Sequence, residues 1–465
     1  MTKATHSGII YADEAPYVRA ARSYLMEAKY ESRRQQNYIS LQSSSSNRQC
    51  RRGFHGQHIP IGKSKGFRDG LNWKVTLIPT SEFSFCGDFK EESFDTIPVT
   101  PKDGIISVKY RFFGEQEWVL SVTNDEWESR GSKPRNFRVY SLSEDMYGLN
   151  PYTGDLHTHS NGSDGWDDPA VVAANYRKAG FDFMALTDHY KREPSERMID
   201  AYAGVPLGIK LYHGEEVHAD PGQIHVVNFG GGYSVNEKLK EGGDALRERL
   251  RRMATGLDLP AGVNPMEAAL RIWMADEIRK AGGISILAHP FWVYKLTYHM
   301  NLATLNYCVD NRIFDALELF GGINQRENSL QLSYYMEKIS TGKKPPIVAS
   351  SDSHQTDPAE HFGTSKTMIF AKDCELDSIK EAISNYLTVA IYQLHGESPI
   401  LIGDFRMVKY ARFLIDTYLP LHDELCVEEG VLMREHLMGD PTAASALGAI
   451  ADRTKKATRH ILRGE

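Results

Sequence analysis

Cysteine is scarce in this chain, and what there is does not pair. Cys50, Cys86, Cys308, Cys374 and Cys426 are scattered, odd in number and never spaced as Cys-x-x-Cys. This excludes a disulfide framework and a cysteine-ligated zinc site, and it fits reduced thiols in a cytoplasmic protein. No stretch reaches the roughly 18 consecutive apolar residues of a membrane span, and Met-Thr-Lys-Ala-Thr-His-Ser at the start has no apolar leader core. Positive charge is not in excess: 54 Lys and Arg stand against 61 Asp and Glu, for a formal net charge of −7. That balance argues against a general nucleic-acid binder. Histidine, by contrast, is plentiful at 17 residues, which favours a His-based metal site without locating one.

At 465 residues the chain exceeds one ordinary core, and two or three domains are expected. Tyr17, Ala20, Ala21, Tyr24, Leu25 and Ala28 recur at helical spacing and predict a helix over 15–35. The segment 42–56, with its serines and Arg48, Arg51 and Arg52, is polar and low in complexity, as a linker is. Between 71 and 142 the texture changes to short alternating runs: Trp73–Ile78, Ile105–Phe113, Trp118–Thr123 and Phe137–Leu142. Their spacing predicts a small antiparallel sandwich. From Tyr152 strand, loop and helix repeat, with a polar insertion over 230–262 placed as a lid. Beyond 398 helices are expected over Phe405–Tyr418 and Thr442–Ile461, broken at Leu419-Pro420, as an add-on or an oligomer contact. The domain expectation is therefore an N-terminal segment 1–60, a β-sandwich 61–150, an α/β domain 151–397 and a helical region 398–465.

The repeating part carries the chemistry. Phe181–Thr187 reads as a strand that ends at Asp188-His189, Ile284–Ala288 ends at His289-Pro290, and Ile347–Ser350 runs into Asp352-Ser-His354. In alternating α/β folds, residues at the C-terminal strand ends line the active site. In Gly154–Asp164, His157 and His159 alternate with Leu156 and Thr158 and so share a face, and the Ser-Asn-Gly-Ser turn can swing Asp164 back toward them. Glu216 in Gly-Glu-Glu-Val and His225 opening His-Val-Val-Asn-Phe complete a set of His157, His159, Asp164, His189, Glu216, His225, His289, Asp352 and His354. That is more than one ion needs, and it implies two or three divalent ions with a bridging carboxylate. An all-imidazole and carboxylate set suits zinc, manganese or iron.

Gly-Asp-Leu-His157-Thr-His159, Ser-Asp164-Gly, Leu-Thr-Asp188-His189, Gly-Glu-Glu216-Val, Ile-His225, Ala-His289-Pro and Ser-Asp352-Ser-His354 resemble, in order, the motifs of the PHP (polymerase and histidinol phosphatase) metallohydrolase superfamily. The resemblance spans about residues 152–370 and implies a distorted TIM-like (β/α)7 barrel with metals at the strand ends. It implies that His157, His159, Glu216 and Asp352 hold one ion. Glu216 would bridge to a second at His225 and His289, and Asp164, His189 and His354 would hold a third. His218 and Glu215 are the weaker neighbours of His225 and Glu216. Asp188 would orient a ligand, accept a proton or cap a turn. Arg326 and Lys366, and with them Lys191 and Arg192, are the candidates to meet substrate oxygens, and His361 is a further candidate proton donor. The preceding sandwich resembles the carbaryl-hydrolase-like branch. The resemblance implies a phosphoesterase acting on a small phosphorylated metabolite through metal-activated water. The alternatives are a carboxyl or carbamate ester hydrolase and a catalytically idle PHP binding module. Neither a membrane nor a nucleic acid is expected as partner, and a homo-oligomer is left open.

Overall fold

The computed structural model describes residues 8–13, 37–42 and 67–463, apart from 82–93, 103, 220–223 and 357–360. The helix expected over 15–35 and the basic part of the 42–56 segment lie outside the described residues. The chain forms two compact units. One comprises Met1–Gly148 with Phe413–Tyr418 and Lys455–Glu465, the other Leu149–Arg412 with Leu419–Thr454.

The first unit is built by alternation. Trp73–Pro79 and Gln116–Thr123 bury every second side chain, and their antiparallel register sets Val75 against Val122 and Leu77 against Leu120. The five-stranded sheet runs in the order Gly8–Asp13, Arg135–Ser141, Gln116–Thr123, Trp73–Pro79, Asp95–Val99, with antiparallel neighbours throughout. A second ladder pairs Asn37–Gln42 with Ile105–Tyr110. Ile106 and Val108 from that ladder pack with Trp73, Trp118, Leu120 and Phe137 of the sheet, so two layers share one core.

The second unit holds two larger sheets, besides a short hairpin of Val293–Tyr294 with Thr297–Tyr298. One runs Lys210–Tyr212, Phe183–Ala185, Asn150–Asp155, Ser365–Ala371, Thr388–Tyr392, Ile400–Gly403; the other runs Gly214–Ala219, Ile224–Phe229, Ile284–Leu287, Ala316–Phe320, Ile347–Ala349. Strands such as Ile224–Phe229, Ile284–Leu287 and Ala316–Phe320 are buried along their whole length, as expected where a sheet is covered on both faces. The helices Pro169–Lys178, Pro265–Lys280 and Gln325–Ser340 are capped by Asp168, Asn264 and Asn324, whose side chains accept the first free N–H groups. The 230–262 insertion is mostly one helix, Val235–Thr255, kinked at Gly243.

The ladders do not close into a continuous barrel. Among the described residues the two sheets meet at single parallel bridges, Thr158 with Ser353 and His189 with Glu216. The reason is local. Just past their strands Tyr190, His289 and Asp352 take positive φ values of 63°, 24° and 48°, and an extended ladder cannot continue through such residues. The seams therefore consist of strand ends, which is where the candidate ligands lie.

The helix Phe405–Thr417 ends beside Leu419-Pro420, as expected, but the pair also opens a further helix, Leu419–Leu437, because a proline in the first helical turn lacks only an N–H that has no partner there. This helix is not a loose addition. Arg177, fully buried, donates to Glu429 at 2.7 Å, to the Phe181 carbonyl at 3.0 Å and to Thr454 at 3.0 Å. His422 lies 2.8 Å from Asp182, which in turn accepts the Thr153 N–H at the root of the Asn150–Asp155 strand. Arg177→Met leaves the Glu429 charge buried and unpaired, and is expected to cost about 3–5 kcal/mol. Denaturant midpoints check this: Arg177→Met should be strongly destabilised, and Arg177→Met with Glu429→Leu should recover part of the loss.

Candidate metal centre

Gly154 lets the site form where it does. It pairs with Phe183 in the parallel ladder, and a Cβ there would overlap the Phe183 ring. The strand Asn150–Asp155 therefore sits tight against Phe183–Ala185 and delivers His157 and His159, both buried, just beyond its end. Their rings lie 5.1 Å apart. The turn that follows is held by Asp188, whose carboxylate accepts from Ser160 N and Oγ and from Ser163 N and Oγ at 2.7–3.0 Å. Of the roles weighed for Asp188, these bonds describe the turn cap, and through that turn it places Asp164.

Glu216 is at the middle. It is fully buried, and its two oxygens face different partners. Oε1 lies 2.9 Å from His225 Nδ1 and 3.3 Å from His289 Nε2. Oε2 lies 2.6 Å from His189 Nδ1, 3.3 Å from His218 Nε2, 3.5 Å from His157 Nε2 and 3.6 Å from His159 Nε2. Asp352 closes the other side, with Oδ1 2.9 Å from His159 Nε2 and 3.3 Å from His157 Nε2. At the mouth Asp164 reaches His189 Nε2 at 3.4 Å and His354 Nε2 at 3.3 Å. Groups whose donor atoms all fall within 4.8 Å of one another are His157–His159–Glu216, His157–His289–Asp352, Glu216–His225–His289, His189–Glu216–His218 and His159–Asp164–His189–His354. All the residues named as ligands from the sequence are thus brought together. His157 and His159 share one group and Asp164 sits in another, but His159 reaches both. His218 joins beside His225, not in place of it.

The donor atoms fit divalent ions. His157 Nε2, both His159 nitrogens, Glu216 Oε2, His225 Nδ1 and Asp352 Oδ1 are buried without a hydrogen-bond partner. Such a set of convergent orphan lone pairs would be costly if it held nothing. Burial pushes the His159 and His225 rings down to about 3 and about 4, which keeps them neutral and able to coordinate. Burial works the other way on Glu216 and Asp352, but the surrounding imidazoles, His225 and His157 for the first and His157 and His159 for the second, hold both carboxyls well below the usual range. Burial would lower His189, yet Asp164 and Glu216 raise it to about 10.

Outer contacts aim the ligands. Glu318, fully buried, sits 3.0 Å from His157 Nδ1 and accepts the His289 N–H at 2.8 Å. A proton on Nδ1 facing Glu318 leaves the His157 Nε2 lone pair toward Glu216 and Asp352. Asp155 accepts from Ser351 N, His157 N and the Tyr176 hydroxyl, tying the Asp352 segment to the His157 segment. Sequence reasoning missed both; a lone Glu in the apolar run Ala316–Phe320 was the available signal for Glu318. Glu215 points away and is spent on Asn228, Ser234, Val235 and Asn236. Arg326 is exposed in the first turn of Gln325–Ser340. The Lys366 ammonium lies 5.6 Å from the centroid of the Phe181 ring. Glu318→Gln is expected to weaken divalent-metal affinity about 10–100-fold, as chelator competition would measure; unchanged affinity would remove Glu318 from the site.

No family model matches the chain, and no curated protein matches it. Some solved structures resemble it in part. A two-domain protein from Bacteroides vulgatus, with a predicted PHP-like metal-dependent phosphoesterase domain, is 20% identical over 58% of this chain and 71% of that one, at a TM-score of 0.40. A Bifidobacterium adolescentis protein inferred to be a metal-dependent phosphoesterase is 16% identical over 50% of this chain and 95% of its own, at 0.34. Endonuclease Q, solved with a 27-mer duplex bearing an abasic lesion, is 14% identical over 67% of this chain and 91% of its own, also at 0.34.

Proposed function

We propose that the second unit is a PHP-type metal-dependent hydrolase, its strands arranged as a distorted barrel, and that it acts as a phosphoesterase on a small phosphorylated metabolite. The observation that carries the reading is Glu216: one buried carboxylate with its two oxygens turned to different sets of imidazoles, flanked by orphaned donor atoms. A carboxylate placed that way suits two cations at once. His157, His159, Glu216 and Asp352 would hold one ion, Glu216, His225 and His289 a second, and Asp164, His189 and His354 a third. Zinc, manganese or iron suits these donors. When bound, such ions lower the pKa of water toward neutrality and polarise a phosphoryl oxygen.

The chain's own residues supply the rest. Glu318 and Asp155 fix the deep ligands, Asp188 fixes the turn that carries Asp164, and the strand ends keep the inner donors from water. Charge supports phosphate over a neutral ester: three divalent ions against Glu216, Asp352 and Asp164 leave positive charge that suits a phosphate dianion. A small substrate fits donors recessed between strand ends. Among the described residues no helix is long and apolar enough to cross a membrane. The free Cys308, Cys374 and Cys426 agree with a reducing, cytoplasmic setting.

A panel of aryl phosphates, aryl acetates and aryl carbamates, run with zinc or manganese, tests this. Phosphate esters should be turned over and a chelator should stop the reaction. His157→Ala with His159→Ala should lower kcat/KM by about 10³-fold or more while the protein stays folded. Cleavage of acetates or carbamates with no phosphate ester turned over would sink the phosphoesterase reading.

A further inference from the structure

The ligand set carries one residue more than the proposed three ions use. His218 follows Glu216 by two positions on the strand Gly214–Ala219 and therefore shares its face. Its Nε2 lies 3.3 Å from Glu216 Oε2 and 2.6 Å from His189 Nδ1. The ring is held in place, stacked on His225 at 3.8 Å and facing Tyr190 at 4.3 Å, while the backbone N–H of His218 donates to Asn236 Oδ1 at 3.0 Å. Glu216 Oε2, the oxygen it faces, is wholly buried and has no hydrogen-bond partner. His225, its cross-strand neighbour, turns Nδ1 to the other oxygen, Oε1. His218 is therefore not a substitute for His225.

His189 limits what this can mean. Its Nδ1 faces Glu216 and His218, while its Nε2 faces Asp164. A neutral imidazole has one lone pair, so one nitrogen can coordinate and the other carries the proton. We propose that Glu216, His218 and Nδ1 of His189 form a further transition-metal position, and that it is an alternative to the position formed by Asp164, His354 and Nε2 of His189. The two differ in setting. Glu216 is fully buried and the His218 side chain is 7% exposed, whereas Asp164 is 57% and His354 35% exposed. One ion can thus occupy an inner or an outer place about the same ring, with the choice set by which nitrogen of His189 is free. The inference rests on the metal-hydrolase reading above, and its test separates the two.

Metal-free protein is loaded with zinc, bound zinc per chain is counted, and crystals are examined by anomalous scattering at the zinc edge. The variants are Asp164→Ala, His218→Ala and the double substitution, with His218→Gln used as well in case the alanine lowers the melting temperature. Asp164→Ala is expected to keep the wild-type zinc count, with a zinc about 2.1 Å from His218 Nε2. The double variant is expected to lose one zinc per chain. The inference is overturned if Asp164→Ala alone already loses one zinc, or if the double variant keeps the full count. Wild-type protein that binds no zinc, manganese or iron would overturn the hydrolase reading along with it.

Discussion

The site depends on one buried carboxylate that cannot exist there alone. Glu216 has no access to water, and six imidazoles, those of His157, His159, His189, His218, His225 and His289, lie within 2.6–3.6 Å of its oxygens. An ionised carboxylate at that depth demands positive charge, from protonated imidazoles or from cations the imidazoles help to hold. Protons satisfy only part of the set, because burial keeps His159 and His225 neutral. Divalent ions satisfy all of it, since they use the same lone pairs that are otherwise orphaned.

The fold is arranged to deliver those lone pairs. Among the described residues the two sheets meet through single bridges, and the bridging segments 157–159, 187–190 and 351–354, with Glu216, carry candidate ligands. A continuous ladder there would have used the backbone for pairing and sent alternate side chains to opposite faces. Ending the strands early, with Tyr190, His289 and Asp352 at positive φ, turns the side chains inward instead. Such conformations cost energy, and the neighbours over-determine them: Glu318 holds the His289 amide, Asp155 the 351 segment, and the Tyr190 amide bonds the Glu216 carbonyl. Further out, the buried Arg177–Glu429 pair and the His422–Asp182 contact brace the helices behind the first strand.

Much of the candidate ligand set was legible in the sequence because strand-end motifs are local. An apolar run followed at once by Asp-His, His-Pro or Asp-Ser-His states both the strand and the residue at its tip. What escaped was non-local or needed strand phase. Glu318 stands 161 residues from His157, and only the fold brings them together. His218 was named only as the weaker neighbour of His225, yet period-two alternation puts it on the face of Glu216 and leaves Glu215 on the other, where it anchors the start of Val235–Thr255. Pro420 marked the break but hid the helix it opens, because a proline in a first helical turn looks, in sequence, like one that only ends a helix. The mixed α/β architecture was legible, but not where its ladders break, for the breaks lie in backbone torsions that the residues at 190, 289 and 352 do not announce.

The claim that everything else depends on is that Glu216 bridges metal ions. It is met most directly by counting the metal retained by protein purified without added chelator, for the wild-type chain and for Glu216→Gln. The expected result is two or three divalent ions per chain in the wild type and at most one in the variant, with matching circular dichroism. A folded wild-type chain that retains and takes up no divalent ion, or a Glu216→Gln chain that keeps the full complement, would contradict it.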